Sequence, residues 1–283
     1  MVSQKPTFRY TPQSEEGDAH VQIGDRIFGT LPQDRSFYGH RLADKHDNRG
    51  SVKGRPLRFG TLGDLLTLAH GACLNRPNRE AMKIYRSIPG DKLTPDEHEA
   101  FNIFSEIFSG RAYIGNTVLH RYGEEKLIFA IDHPTADEIE FPRILSKDYF
   151  IARLGSRKVG NVQLSDDGLV RAVSTAGFKG GMVSSWNALK NPDYLVLMTG
   201  IESAGEMFGE IIDSLNEGLN QDDRKNENYG YYLYPDSSSE EAEVCGLMLS
   251  EKILYIGNDD AGLSALRMAY GVLKDKDKEE DTR

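Results

Sequence analysis

"LVLMTGIESAGEMFGEIIDSL" runs from Leu195 to Leu215, and "ILYIGNDDAGLSALRMAYGVL", from Ile253 to Leu273, repeats its plan. Each is an apolar run, then a G-x-[D/E]-[S/D]-A-G turn, then a helical pattern. Two strand-to-helix units of this kind, with "YYLY" and "EVCGLMLS" as strands between them, predict an α+β fold. Its helices pack on one face of a mostly antiparallel sheet, with a ferredoxin-like outline in the C-terminal half.

A glycine turn that feeds a helix N-terminus can hold a phosphate through its free N–H groups and the helix dipole. The side chains argue against that here. Glu202, Asp259 and Asp260 stand at or near the expected helix starts, where a carboxylate takes those N–H groups itself and repels an incoming phosphate. Neither copy contains G-x-G-x-x-G or G-K-[S/T], so the dinucleotide and P-loop readings fail and no cofactor is expected. No metal is expected either. The subordinate reading is that the two turns converge and the same three carboxylates share a divalent cation.

Upstream the local signals are stronger. "HVQIGDRIFGTL" reads as a hairpin about Gly24-Asp25, "TVLHRYGEEKLIFAID" as one turning at Tyr122–Glu125, and "NVQLSDDGLVRAV" as one bending at Asp167-Gly168. Thr61 can cap a helix that reaches Asn75. Residues 78–88 suggest a second helix, stopped by Pro89-Gly90. Thr94, Pro95 and Glu97 give a third a capping box, and Gly110 ends it. The expected organisation is an unstructured arm (1–19), an α+β region (20–135), a second α+β region (136–275) and a charged tail (276–283). The first region holds a long basic loop (32–58) and a helical cluster (61–110).

Composition places the chain among folded globular proteins, since 39% of its 283 residues are hydrophobic and 28% charged. No apolar run approaches the roughly 18 residues that cross a bilayer, and the N-terminus lacks the apolar stretch of a secretory signal. Cys73 and Cys245 lie far apart in apolar contexts, which suits a reducing compartment. A cytoplasmic protein without a membrane partner is expected.

A net charge of −10 opposes indiscriminate contact with nucleic acid. The positive residues are nevertheless gathered. From Arg35 to Arg58 the chain carries Arg41, Lys45, Arg49, Lys53 and Arg55 against Asp44 and Asp47. Between Arg143 and Lys190 a second excess includes Arg157, Lys158, Arg171 and Lys179. "TAGFKGGMVSSWNALK" places Lys179 in a glycine loop able to wrap an anion, close to Trp186, the one tryptophan, which could stack on a base.

The histidines carry no recognisable site. His40 and His46 flank Asp44 and Asp47 among arginines that oppose a metal ion, and there is no HExxH. His70 and His98 read as solvent-facing or hydrogen-bonded helix residues, and His120 as a strand residue. Asp132-His133 closes a strand, but no nucleophile can be named beside it, and GxSxG is absent.

Two functional expectations follow. The first is a non-catalytic binding or assembly subunit, an oligomer or part of a complex. It would touch the phosphates of a nucleic acid such as RNA, or an acidic protein partner, through segments 35–58 and 143–190. Its contact residues would be Arg41, Arg49, Lys53, Arg55, Arg157, Lys158, Lys179 and Trp186. The second is an enzyme for a small phosphorylated or anionic substrate, with the loop at Lys179 as anion site and Asp132, His133 or the carboxylates at 202, 259 and 260 as base or metal ligands.

Overall fold

Ten consecutive residues of one strand, Tyr113–Tyr122, are all buried, and the fold is assembled around them. The computed structural model describes residues 5–15, 17–77, 93–134, 144–177, 181–184, 192–216, 230–233, 241–250, 253–258 and 267–273. The helix expected over 78–88, Lys179, Trp186, Asp259, Asp260 and the tail 276–283 lie outside the described residues.

The chain opens with β1 (Phe8–Thr11), β2 (His20–Ile23), β3 (Arg26–Gly29) and β4 (Gln33–Arg35). Then come α1 (Phe37–Lys45), β5 (Ser51–Val52), β6 (Arg55–Pro56), β7 (Arg58–Phe59), α2 (Leu62–Asn75) and α3 (Pro95–Ile107). The middle supplies β8 (Tyr113–Tyr122), β9 (Leu127–Asp132), α4 (Lys147–Ile151), β10 (Leu154–Val159), β11 (Val162–Ser165), β12 (Val170–Ser174) and β13 (Gly181–Ser184). Last are α5 (Pro192–Thr199), α6 (Ala204–Asn216), β14 (Gly230–Leu233), β15 (Glu241–Ser250), β16 (Ile253–Asn258), β17 (Arg267–Ala269) and β18 (Gly271–Leu273).

An 11-stranded sheet runs β10-β11-β12-β9-β8-β15-β16-β14-β13, with β17 joined to β8 and β4 joined to β17. Its pairings are antiparallel except β14 with β16 and β17 with β8. A 5-stranded antiparallel sheet has the order β1-β2-β3-β18-β7. The class is therefore α+β with mostly antiparallel sheets, as the sequence predicts.

Strand alternation sends successive side chains to opposite faces. On β9, Ile128 and Ala130 join the core that holds Leu66, Ile103, Leu197 and Phe208 of α2, α3, α5 and α6. Phe129 and Ile131 point the other way, into a second core with Phe37 of α1 and Phe150 of α4. Helices α2, α3, α5 and α6 thus share one face, while α1 and α4 cover part of the other. On α6, Phe208, Ile211 and Ile212 are wholly buried, each worth about 1.5–3 kcal/mol of hydrophobic stabilisation.

The best-signalled elements stand where expected. Thr61 and Thr94 both close capping boxes, with Asp64 and Glu97. The β2–β3, β8–β9 and β11–β12 hairpins pair in the registers that their turns dictate.

Three expectations are corrected. Residues 192–199 form a helix rather than a strand. Every residue from Tyr194 to Thr199 is buried, so the apolar run has no polar face, and periodicity alone cannot tell such a helix from a buried strand. The ferredoxin-like outline depended on a strand at this point. The second repeat also departs, since Arg267–Ala269 and Gly271–Leu273 are strands rather than a helix. There the offer of sheet pairing to β4, β8, β3 and β7 overrides the helical preference of Leu, Arg, Met and Ala. The basic loop 32–58 contains β4, α1, β5, β6 and β7, and the arm 1–19 contains β1. Strands from both halves of the chain share sheets, since β8 pairs with β15 and β3 with β18.

Two glycines set how closely the layers approach. A Cβ on Gly63 of α2 would lie 2.2 Å from the carbonyl oxygen of Thr199 at the end of α5. One on Gly115 of β8 would lie 2.3 Å from the backbone nitrogen of Leu62. Only glycine allows both contacts.

Candidate functional site

The cations expected to form an anion-binding surface separate into internal and external groups. Arg49 is internal, with its side chain 1% exposed. Its Nε donates to Oδ1 of Asp44 at 2.9 Å, and its Nη2 donates to Nδ1 of His40 at 3.0 Å and to the His40 carbonyl at 2.9 Å. The guanidinium also lies over the ring of Phe59. This network fixes the tautomer of His40. A guanidinium can only donate, so Nδ1 accepts and Nε2 carries the proton that it gives to the carbonyl of Arg267 at 2.9 Å. Burial, reinforced by the neighbouring Arg49 and Arg35 charges, holds the pKa of His40 down at about 4. Asp44 completes the knot by accepting the backbone N–H of Phe59 at 2.8 Å. Arg49 is therefore a brace between α1 and β7, not a surface contact, which corrects its place in the expected set.

Arg41 donates to the carbonyl of Pro134 at 2.6 Å, tying α1 to the end of β9. Arg55, on β6, is half-buried. Arg58 holds the Asp44 carbonyl at 2.9 Å and pairs with Asp47. Lys53 differs, because it projects from the two-residue β5–β6 turn. Lys53 and Gly54 both have positive φ there, 51° and 70°, the conformation of the tightest hairpin turns. Its side chain is exposed and has no acidic partner among the described residues.

The second basic segment divides in the same way. Arg171 is wholly buried. Its Nη1 and Nη2 grip Asp132 at 2.6 and 3.0 Å, and its Nε donates to the carbonyl of Leu197 at 2.6 Å. Asp132 also accepts from the Thr117 hydroxyl at 2.6 Å, and that hydroxyl receives the backbone N–H of Leu62 at 3.0 Å. The pair thus joins β9, β12, the start of α2 and the end of α5. Asp132 is held by an arginine and a threonine, not poised as a base. Its neighbour His133 accepts from the Asn116 amide at 3.0 Å. Lys147 pairs with Glu125, and Arg153 lies over the Tyr149 ring.

Arg157 and Lys158 remain. They follow Ser156 on β10, the edge strand of the large sheet, and all three are exposed. Adjacent strand residues face opposite ways, so exposure of three in succession means that the ribbon stands clear of both packed layers. Its register with β11 shifts between Leu154 and Lys158, as at a bulge. Neither cation has an acidic partner among the described residues.

The chain matches no family model, no curated protein and no solved structure. Glu202 is exposed in the turn before α6 and makes no hydrogen bond to a described residue. The acid in the first turn of α6 is Glu206 instead, so the capping role expected of Glu202 is not seen. Among the described residues no group of three or more His, Cys, Asp or Glu side chains is placed to hold a metal ion. No described helix is long and apolar enough to cross a membrane. His70 pairs with Glu210, 140 residues away on another helix. No local pattern links them.

Proposed function

We propose that the chain is a non-catalytic binding or assembly subunit that contacts nucleic-acid phosphates through its exposed cations. The observation that carries this reading is the run of Arg157 and Lys158, exposed on the edge of the large sheet without acidic partners among the described residues, in a chain of net charge −10. Surface cations in an acidic protein are ordinarily matched by neighbouring carboxylates. Here two adjacent cations stand exposed on one edge ribbon, where a phosphate backbone can reach both. Lys53, at the tip of the β5–β6 turn, is a further contact of the same kind. Phosphate contacts of this sort fix position without reading sequence, and they weaken steeply with salt. An edge strand also uses lysine and arginine to repel other edges.

The deciding experiment is fluorescence anisotropy with a labelled single-stranded RNA and its DNA counterpart at low and moderate salt. Binding that falls with salt, and that is lost in the double variant Arg157→Glu, Lys158→Glu, is the expected result. A wild-type chain that binds neither strand at low salt would sink the proposal. The enzyme reading receives less support, because Asp132 is committed to Arg171 and Thr117.

A further inference from the structure

Tyr149 and Ile151 of α4 are exposed, 39% and 49%, while Phe150 between them is buried in the second core. The Tyr149 ring is held in place. Arg153 donates from Nη1 to its hydroxyl at 3.1 Å, and the guanidinium lies over the ring, 5.7 Å from the centroid. Phe150 meets the same ring edge to face at 5.4 Å. Helix α4 leads through Ala152 and Arg153 directly into β10, so the ring stands at the head of the strand that carries Arg157 and Lys158.

The register places Lys158 on the side of the sheet that α4 covers. Val159 packs against the first core, as do Val162 and Leu164 of β11, and Lys158 pairs with Gln163, which lies between those two. Side chains alternate along a strand. Lys158 and Gln163 therefore turn to the opposite face, where Phe150 seats α4 in the second core. Charge divides along this ribbon. Acids gather at its Arg153 end, where Asp167 lies 3.9 Å from Arg153, Asp166 lies against Gly155, and Asp148 is exposed on α4. At the far end Arg157 and Lys158 have no acidic partner among the described residues.

A phosphate backbone is drawn to the cationic end and repelled by the acids at the other. A neutral base meets no such repulsion, and both an aromatic ring and a guanidinium plane can stack on its face. Arg153 and Lys158 are five residues apart, roughly 15 Å along a strand. One phosphate cannot reach both, so the fitting ligand is a chain of several units. In a duplex the base faces are hidden in the stack, which leaves only phosphates to meet the acids. We propose that the partner of this edge is a single-stranded nucleic acid, its backbone running past Lys158 and Arg157 and a base stacked on Tyr149 and Arg153, with Ile151 alongside. The proposal rests on the phosphate-contact reading above and adds the strandedness of the ligand.

The test is fluorescence anisotropy on the full chain at low salt, with labelled oligo(dT), oligo(rU) and a duplex of the same length, and with inorganic polyphosphate as competitor. Both single strands should bind about tenfold more tightly than the duplex, and polyphosphate should compete poorly. Tyr149→Ala should weaken the single strands by about tenfold and leave the salt slope unchanged, whereas Lys158→Gln should lower that slope by about one unit. Tyr149→Phe keeps the ring and should bind nearly as wild type does. Oligo(dT) carrying bromouracil should cross-link to the peptide that contains Tyr149, and melting curves like that of wild type would confirm that the variants fold. Single-strand affinity unchanged in Tyr149→Ala, a duplex bound as tightly as a single strand, or full displacement by polyphosphate would overturn this inference and leave phosphate contact standing. A chain that binds none of the probes would overturn both.

Discussion

Arg171 and Asp132 form a two-pronged ion pair at 2.6 and 3.0 Å in the interior, and the same guanidinium donates to the carbonyls of Leu197 and Met198 at 2.6 and 3.3 Å. It therefore ends a helix as well as neutralising an acid. Removing one partner strands a buried charge, which costs about 3–5 kcal/mol. Asp132→Asn and Arg171→Met should each lower the unfolding free energy by that amount in urea titrations. The double variant should lose clearly less than the sum, because no lone charge remains. Strict additivity would show that the two side chains do not act as a pair.

His40 makes the fold acid-sensitive. Its pKa is about 4 in the folded chain against an ordinary 6.5, chiefly through burial. Between those values the unfolded chain binds a proton that the folded chain refuses, so stability falls as pH drops through that window. It is fully present above pH 6.5 and worth about 3 kcal/mol by that shift. Unfolding measured across the window should show this slope, and His40→Gln should flatten it. A variant curve parallel to that of wild type would refute the assignment.

Gly63 and Gly115 meet backbone atoms at 2.2 and 2.3 Å if given a Cβ. Backbone cannot step aside as a side chain can, so Gly63→Ala and Gly115→Ala should each cost at least about 1–3 kcal/mol. Gly63 lies in the first turn of α2 and Gly115 packs against that turn from β8, so a shift of the turn made for one changes the other's clash. Thermal unfolding of the double variant should therefore show less than the summed loss.

Charge reversals should sort the basic residues by role. If phosphates are bound, Lys53→Glu, Arg157→Glu and Lys158→Glu should leave the melting temperature nearly unchanged and each lower the salt dependence of binding by about one unit of slope. Arg49→Glu should instead unfold the chain, since it would face Asp44 with a second acid inside the protein. Equal melting temperatures for all four variants would contradict the division into internal and external cations.

These roles explain what could be read from the residues alone. Thr61, Thr94, Gly24-Asp25 and Asp167-Gly168 act through neighbours a few positions away, so caps and turns were legible. Leu195–Met198 was not, because an apolar run buried on all sides suits either a strand or a helix, and here the Arg171 side chain and the glycine after Thr199 close a helix. The basic segments were misleading for a related reason. Charge summed along the chain cannot distinguish Arg49 and Arg171, which are sealed inside, from Arg157 and Lys158, which are exposed. That distinction is made by Asp44 and Asp132, and the partner of Arg171 stands 39 residues away.

The pairing of β18 with β3 and β7 has a consequence for biosynthesis. Val272 lies opposite Phe28, about 240 residues earlier, and Gly271 lies opposite Phe59. The first hairpin emerges from the ribosome long before the strand that separates it from β7. Until residues 267–273 arrive, β3, β4 and β7 each expose an unpaired edge. Such long-range closure slows folding and leaves sticky intermediates, so a nascent chain stalled before Arg267 should depend on chaperones until residues 267–273 are delivered.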